Sequence, residues 1–126
     1  MVPVMRVFFT SLAAAVVALA AGCGDSAGPT VDQVVPTAAA RGTEIQILGE
    51  RFCGDAAANV DEAGGCVTPP AGFVTLGAND MVRASVRSWK AAEVRVVIPQ
   101  SIATGSTVVI VTVDGASSNA APFEVL

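Results

Sequence analysis

Thr107-Val108-Val109-Ile110-Val111-Thr112-Val113-Asp114-Gly115 is the stretch whose reading decides the fold. Seven residues in a row are β-branched, the type that packs well on a pleated, covered surface and fits poorly in a helix. The run predicts a central strand covered on both faces. Asp114-Gly115 then supplies two residues that tolerate positive φ, which predicts a two-residue type I′ hairpin. A final strand, Ala116 to Val125, should return from it and bury Phe123 and Val125.

Working back from this hairpin, the chain repeats one theme of short alternating runs separated by turn residues. Val94, Val96 and Ile98 alternate with Glu93 and Arg95, and Pro99 ends the run. Val82, Ala84 and Val86 alternate with Arg83, Ser85 and Arg87, as in a strand with one wet face. Trp89 has the wrong parity for that face, so a bend or bulge is expected there. Arg83 and Arg87 read as a solvated face, or as partners for acids on a neighbouring strand. Phe73 to Gly77 is a short strand. Ile45 and Ile47 face one way in Thr43 to Leu48, and Phe52 is a core anchor. Thr30 to Pro36 reads as an edge strand that Pro36 ends. The expectation is an all-β fold, an antiparallel immunoglobulin-like β-sandwich of about seven short strands, with no helical period beyond residue 22.

The first 22 residues are of another kind. Arg6 lies before an apolar run, Val7 to Ala21, of about 15 residues, the length of a signal-peptide core. A spanning helix needs about 20. Leu19-Ala20-Ala21-Gly22-Cys23 resembles the lipobox of bacterial lipoproteins, with Ala20 where the commonest pattern has Leu. The resemblance implies a helical signal peptide over 1–22, lipid on Cys23, and a tether over 23–28. It implies export and anchoring at the bacterial cell envelope, in either membrane. An ordinary secretory signal and a short transmembrane anchor are the alternatives, and both also place the domain outside the cytoplasm.

Composition bounds the function. Beyond residue 22 there are 104 residues, one small domain, with 6 basic and 11 acidic side chains and a net charge of −5. A phosphate-tracking nucleic-acid surface needs clustered Lys and Arg, so no nucleic-acid partner is expected. The chain has no histidine. That removes Ser–His–Asp and Cys–His catalysis and the usual zinc sites. Neither enzymatic activity, a metal nor a cofactor is expected.

With Cys23 carrying lipid, Cys53 and Cys66 remain as an even pair in an oxidising compartment, and a disulfide between them closes a 14-residue loop. A redox-active pair would favour Cys-x-x-Cys spacing. The loop carries Asp55, Asp61 and Glu62, a candidate recognition loop held rigid for a partner. Calcium on the three carboxylates is a second reading, although the spacing is not that of an EF-hand.

The ordered set Val34-x-Pro36, Gly42-Thr43-x-Ile45-x-Ile47-x-Gly49-x-x-Phe52, Val74-x-Leu76-Gly77, Val86-x-x-Trp89, Val94-x-Val96-x-Ile98-Pro99, Gly105-x-x-x-Val109-x-Val111-x-Val113-Asp114-Gly115-x-Ser117 and Phe123-x-Val125 resembles the IPT/TIG domain. The resemblance covers residues 29–126. It implies an immunoglobulin-like fold whose motif residues are structural, with no catalytic residue to carry over. The stretch between Phe52 and Phe73 is longer than the family pattern. The expected function is a non-catalytic binding or structural module with envelope or surface proteins as partners. The alternative is a carbohydrate- or cell-wall-binding module using Trp89 as a stacking platform.

Overall fold

The computed structural model describes residues 28–54, 57–77, 79 and 81–126. The signal-peptide and lipidation expectations, Cys23 included, fall outside these residues, as does Asp55. Among the described residues, no helix is long and apolar enough to cross a membrane.

Ten strands form two sheets: β1 Thr30–Val35, β2 Ala38–Ala39, β3 Glu44–Glu50, β4 Gly72–Leu76, β5 Val82–Arg83, β6 Ser85–Trp89, β7 Glu93–Val97, β8 Gly105–Val113, β9 Ala116–Ser117 and β10 Ala121–Val125. One sheet has the order β1-β3-β7-β6; the other has β2-β10-β8-β4-β5, with β9 paired to β8. The first order is A-B-E-D and the second contains C-F-G, so the fold is an immunoglobulin-like β-sandwich. Pairing is antiparallel except for β2 beside β10, which is parallel. β1 ends at Pro36, and the chain crosses to the other sheet as β2. The count exceeds seven because three of the ten strands are two-residue edge or hairpin pieces.

The core is built from facing pairs. Ile45 lies opposite Val96 and Ile47 opposite Val94 in one sheet. Val74 lies opposite Val111 and Leu76 opposite Val109 in the other. All eight are buried. Residues directly opposite in a ladder share a face, so each pair fills one layer. A fully buried Val, Leu or Ile contributes about 1.5–3 kcal/mol.

The Asp114-Gly115 hairpin forms as read, with φ of 49° and 88° and Val113 paired to Ala116. The bulge near Trp89 also forms. The β6–β7 register shifts between Val86 and Ser88, so Val86 pairs with Val96 and Trp89 with Val94. The extra residue brings two positions of opposite parity to one face.

Three expectations need correction. Val82 to Arg87 is not one strand: β5 belongs to the C-F-G sheet and β6 to the other, because the chain crosses between sheets at Ala84. Val86 is 43% exposed, at the open edge of the sandwich. Ala116 to Val125 is interrupted, because residues 118–120 leave the ladder. Ser118 bonds β8 through N–H to the Val111 carbonyl (2.8 Å) and by accepting the Val111 N–H at Oγ (2.9 Å). Finally, the outer side of β8 is covered only in part, with Thr112 buried there. Val109, Val111 and Val113 are buried while Val108 and Ile110 are half-buried.

Candidate functional site

The disulfide loop sits at one end of the sandwich. It leaves β3 at Arg51, whose φ of 62° turns the chain sharply. Phe52 enters the core with no exposed surface, and Cys53 is buried beside it. Cys53 and Cys66 form the disulfide, with Cα atoms 5.3 Å apart. A 3-10 turn at Ala57–Asn59 and a bridge between Val60 and Cys66 shape the interior of the loop.

Two side chains that the sequence reading did not single out, or read differently, hold the loop. Asn59 donates from Nδ2 to the carbonyls of Cys53 and Thr68, both at 2.9 Å, and accepts the Thr68 N–H at 2.7 Å. One amide thus replaces a missing strand partner across the neck of the loop. Asp61 accepts the N–H groups of Ala63 (2.9 Å) and Gly65 (2.8 Å) on a single oxygen, Oδ1. This is an Asx-type turn, so Asp61 shapes the loop itself. Asn-x-Asp spacing carries no distinctive signal.

The loop is also docked on its neighbours. Gly65 bridges Lys90, and the Ala91 N–H donates to the Gly64 carbonyl at 2.8 Å. Its outward surface presents exposed Glu62, Val60 at 37% exposure and Val67 at 61%. Asp61 and Glu62 are both exposed. Among the described residues, no three His, Cys, Asp or Glu side chains gather where they could hold a metal ion.

Trp89 is half-buried against the core. Its Nε1–H donates to the Phe52 carbonyl at 2.6 Å. A methyl group on Gly72 would meet the indole at 2.6 Å, so the ring rests on the Gly72 backbone. The Nε1–Cζ2–Cη2 edge of the indole, with its only donor, is therefore spent inside the protein. Arg83 and Arg87 lie on strands of different sheets. Arg83 is exposed, as the solvated-face reading expected, and it stacks 3.9 Å from the centroid of the Phe73 ring in a cation–π contact. Arg87 is exposed.

The opposite end of the sandwich carries an open hollow of about 340 Å³, lined by Ser101, Ile102, Thr104 and Ser106 among others. Among the described residues that line it there are hydroxyls and no ionisable group, and no sequence signal marked it.

No protein-family model matches the chain, and no curated protein matches its sequence. Among solved structures it is similar to a gamma-CGTase from alkalophilic Bacillus clarkii, with 24% identity and a TM-score of 0.59 over 80% of this chain and 12% of that one. A candidate phosphatase from Bacteroides thetaiotaomicron aligns with 16% identity and a TM-score of 0.48, over 78% of this chain and 18% of that one. The chain spans less than a fifth of either protein. The likeness to the gamma-CGTase is one of fold, and it is to one portion of a much longer chain.

Proposed function

We propose that this chain is a non-catalytic immunoglobulin-like binding module of the IPT/TIG type, held at the bacterial cell envelope by lipid on Cys23, with protein partners that engage the 53–66 loop. One observation carries the reading. The insertion is braced by a disulfide, by the Asn59 clamp and by the Gly65–Lys90 bridge, yet it leaves Val60, Glu62 and Val67 exposed. A long excursion fixed at several points but not covered by its own domain has already lost the entropy that binding would otherwise cost. The lack of histidine and the structural employment of Asp61 agree with a module that binds and does not catalyse.

The test is crosslinking on the native membrane with mass spectrometry of what the tagged protein captures. Reproducible capture of an envelope protein through residues 53–73 supports the reading. Binding that survives Cys53→Ser/Cys66→Ser unchanged, in a folded domain, overturns the role of the loop. Repeated capture of wall polymer alone moves the weight to the carbohydrate reading. That reading draws less support, because the Trp89 indole is half-buried and its N–H already has a partner.

A further inference from the structure

We infer that the anchored domain stands on its disulfide-closed end, so that the 53–66 loop faces the membrane. The inference rests on the lipid anchor proposed above and adds the orientation that the fold imposes on it.

The first described residue, Gly28, emerges beside that loop. Arg51 Nε donates to the Gly28 carbonyl at 3.0 Å, and Arg51 Nη2 to Thr30 Oγ1 at 3.0 Å. Across the sandwich, a methyl on Gly28 would lie 3.2 Å from the Ser117 carbonyl and 3.4 Å from the Ala116 Cβ. The β8–β9 hairpin at Asp114 is tied in turn to Ala71, by bonds of 2.8 and 2.9 Å. The chain start, the neck of the insertion and the hairpin therefore share one end.

Five residue steps separate Cys23 from Gly28, a reach of about 18 Å when fully extended. The opposite end lies a full β8 away. Gly105 to Val113 is eight steps, about 27 Å at strand rise. The segments at that far end are the β7–β8 loop and the hollow beside it. A tether shorter than β8 does not let the domain invert, with Gly28 held above the far end. A protein that grips the loop must reach within a tether's length of the bilayer.

The test uses the full chain, lipidated in cells and reconstituted into phosphatidylethanolamine–phosphatidylglycerol vesicles. A fluorophore is placed at Lys90→Cys, whose main chain bridges the loop, or at Thr104→Cys at the far end. Both positions are exposed. Energy transfer to a headgroup acceptor should be several-fold stronger from position 90 than from position 104. Equal or reversed transfer, with the protein floating on the vesicles, overturns the orientation and leaves the anchor standing. Failure of the unlabelled protein to float, matched by a Cys23→Ser control, overturns the anchor and the orientation with it.

Discussion

The indole Nε1 of Trp89 and the main-chain carbonyl of Phe52 are joined by a hydrogen bond of 2.6 Å. Trp89 ends an edge strand of the A-B-E-D sheet, and Phe52 is the last core residue before the insertion. The bond fastens the neck of the loop to the sandwich, and the Phe52 N–H to Ala91 carbonyl bond (3.0 Å) reinforces it. A residue that could be read as a sugar platform is therefore a joint between core and insertion.

Replacing Trp89 by Phe should keep much of the apolar packing and remove this donor. The part-buried Phe52 carbonyl then lacks a partner, and stability should fall by about 1–3 kcal/mol. Urea unfolding reads the change. An unaltered midpoint would show that the bond contributes nothing.

The disulfide closes a 14-residue loop whose neck Asn59 also bridges. Cys53→Ser/Cys66→Ser should cost about 3 kcal/mol by the loop-entropy argument, less where the Asn59 clamp already restricts the open chain. Unfolding of the wild type with and without reductant should reproduce the difference between variant and parent. A reductant-insensitive midpoint would contradict it.

Asn59→Asp keeps the shape and removes both donors, setting a carboxylate against the carbonyls of Cys53 and Thr68. The exchange of amide hydrogens across 57–68 should speed up, with a global loss of about 1–2 kcal/mol. Protection in this segment equal to the wild type would show that the disulfide alone orders the loop.

Gly49 lies in β3 opposite Val31 of β1. A methyl there would collide with the Thr30 carbonyl and stand 2.8 Å from Phe52 Cζ. Gly49→Ala should therefore push β1 off the sheet edge or displace Phe52, costing about 1–3 kcal/mol or more. Thermal unfolding checks this. A neutral result would mean that the edge strand yields freely.

Much of the sandwich was legible because burial on a sheet writes a period of two into the chain. Ile45 and Ile47, and Val94 and Val96, each announce a face, and the structure pairs them as layers. The Trp89 bulge was legible for the same reason, since a parity break in a two-residue period must be absorbed somewhere. A second such break was missed. Val31 and Val34 are both buried, and the β1 register shifts between Val31 and Gln33 to allow it. Asn119 accounts for that site. Its amide accepts the Val31 N–H at 2.8 Å and donates to the Val31 carbonyl at 2.9 Å, from 88 residues away.

The sequence by itself determined the strand-rich class, the inward residues of the longer strands, the Asp114-Gly115 hairpin and the Cys53–Cys66 pair. These are local or compositional properties, and periodicity, turn chemistry and cysteine parity record them directly. Tertiary structure alone decided that Val82–Arg83 and Ser85–Trp89 belong to opposite sheets, and that Asp61 and Asn59 serve the loop's own backbone. It also decided that Gly28 emerges beside the insertion. Two-residue edge strands are too short to carry a period. A polar side chain that satisfies distant backbone groups looks, in sequence, the same as one that faces water.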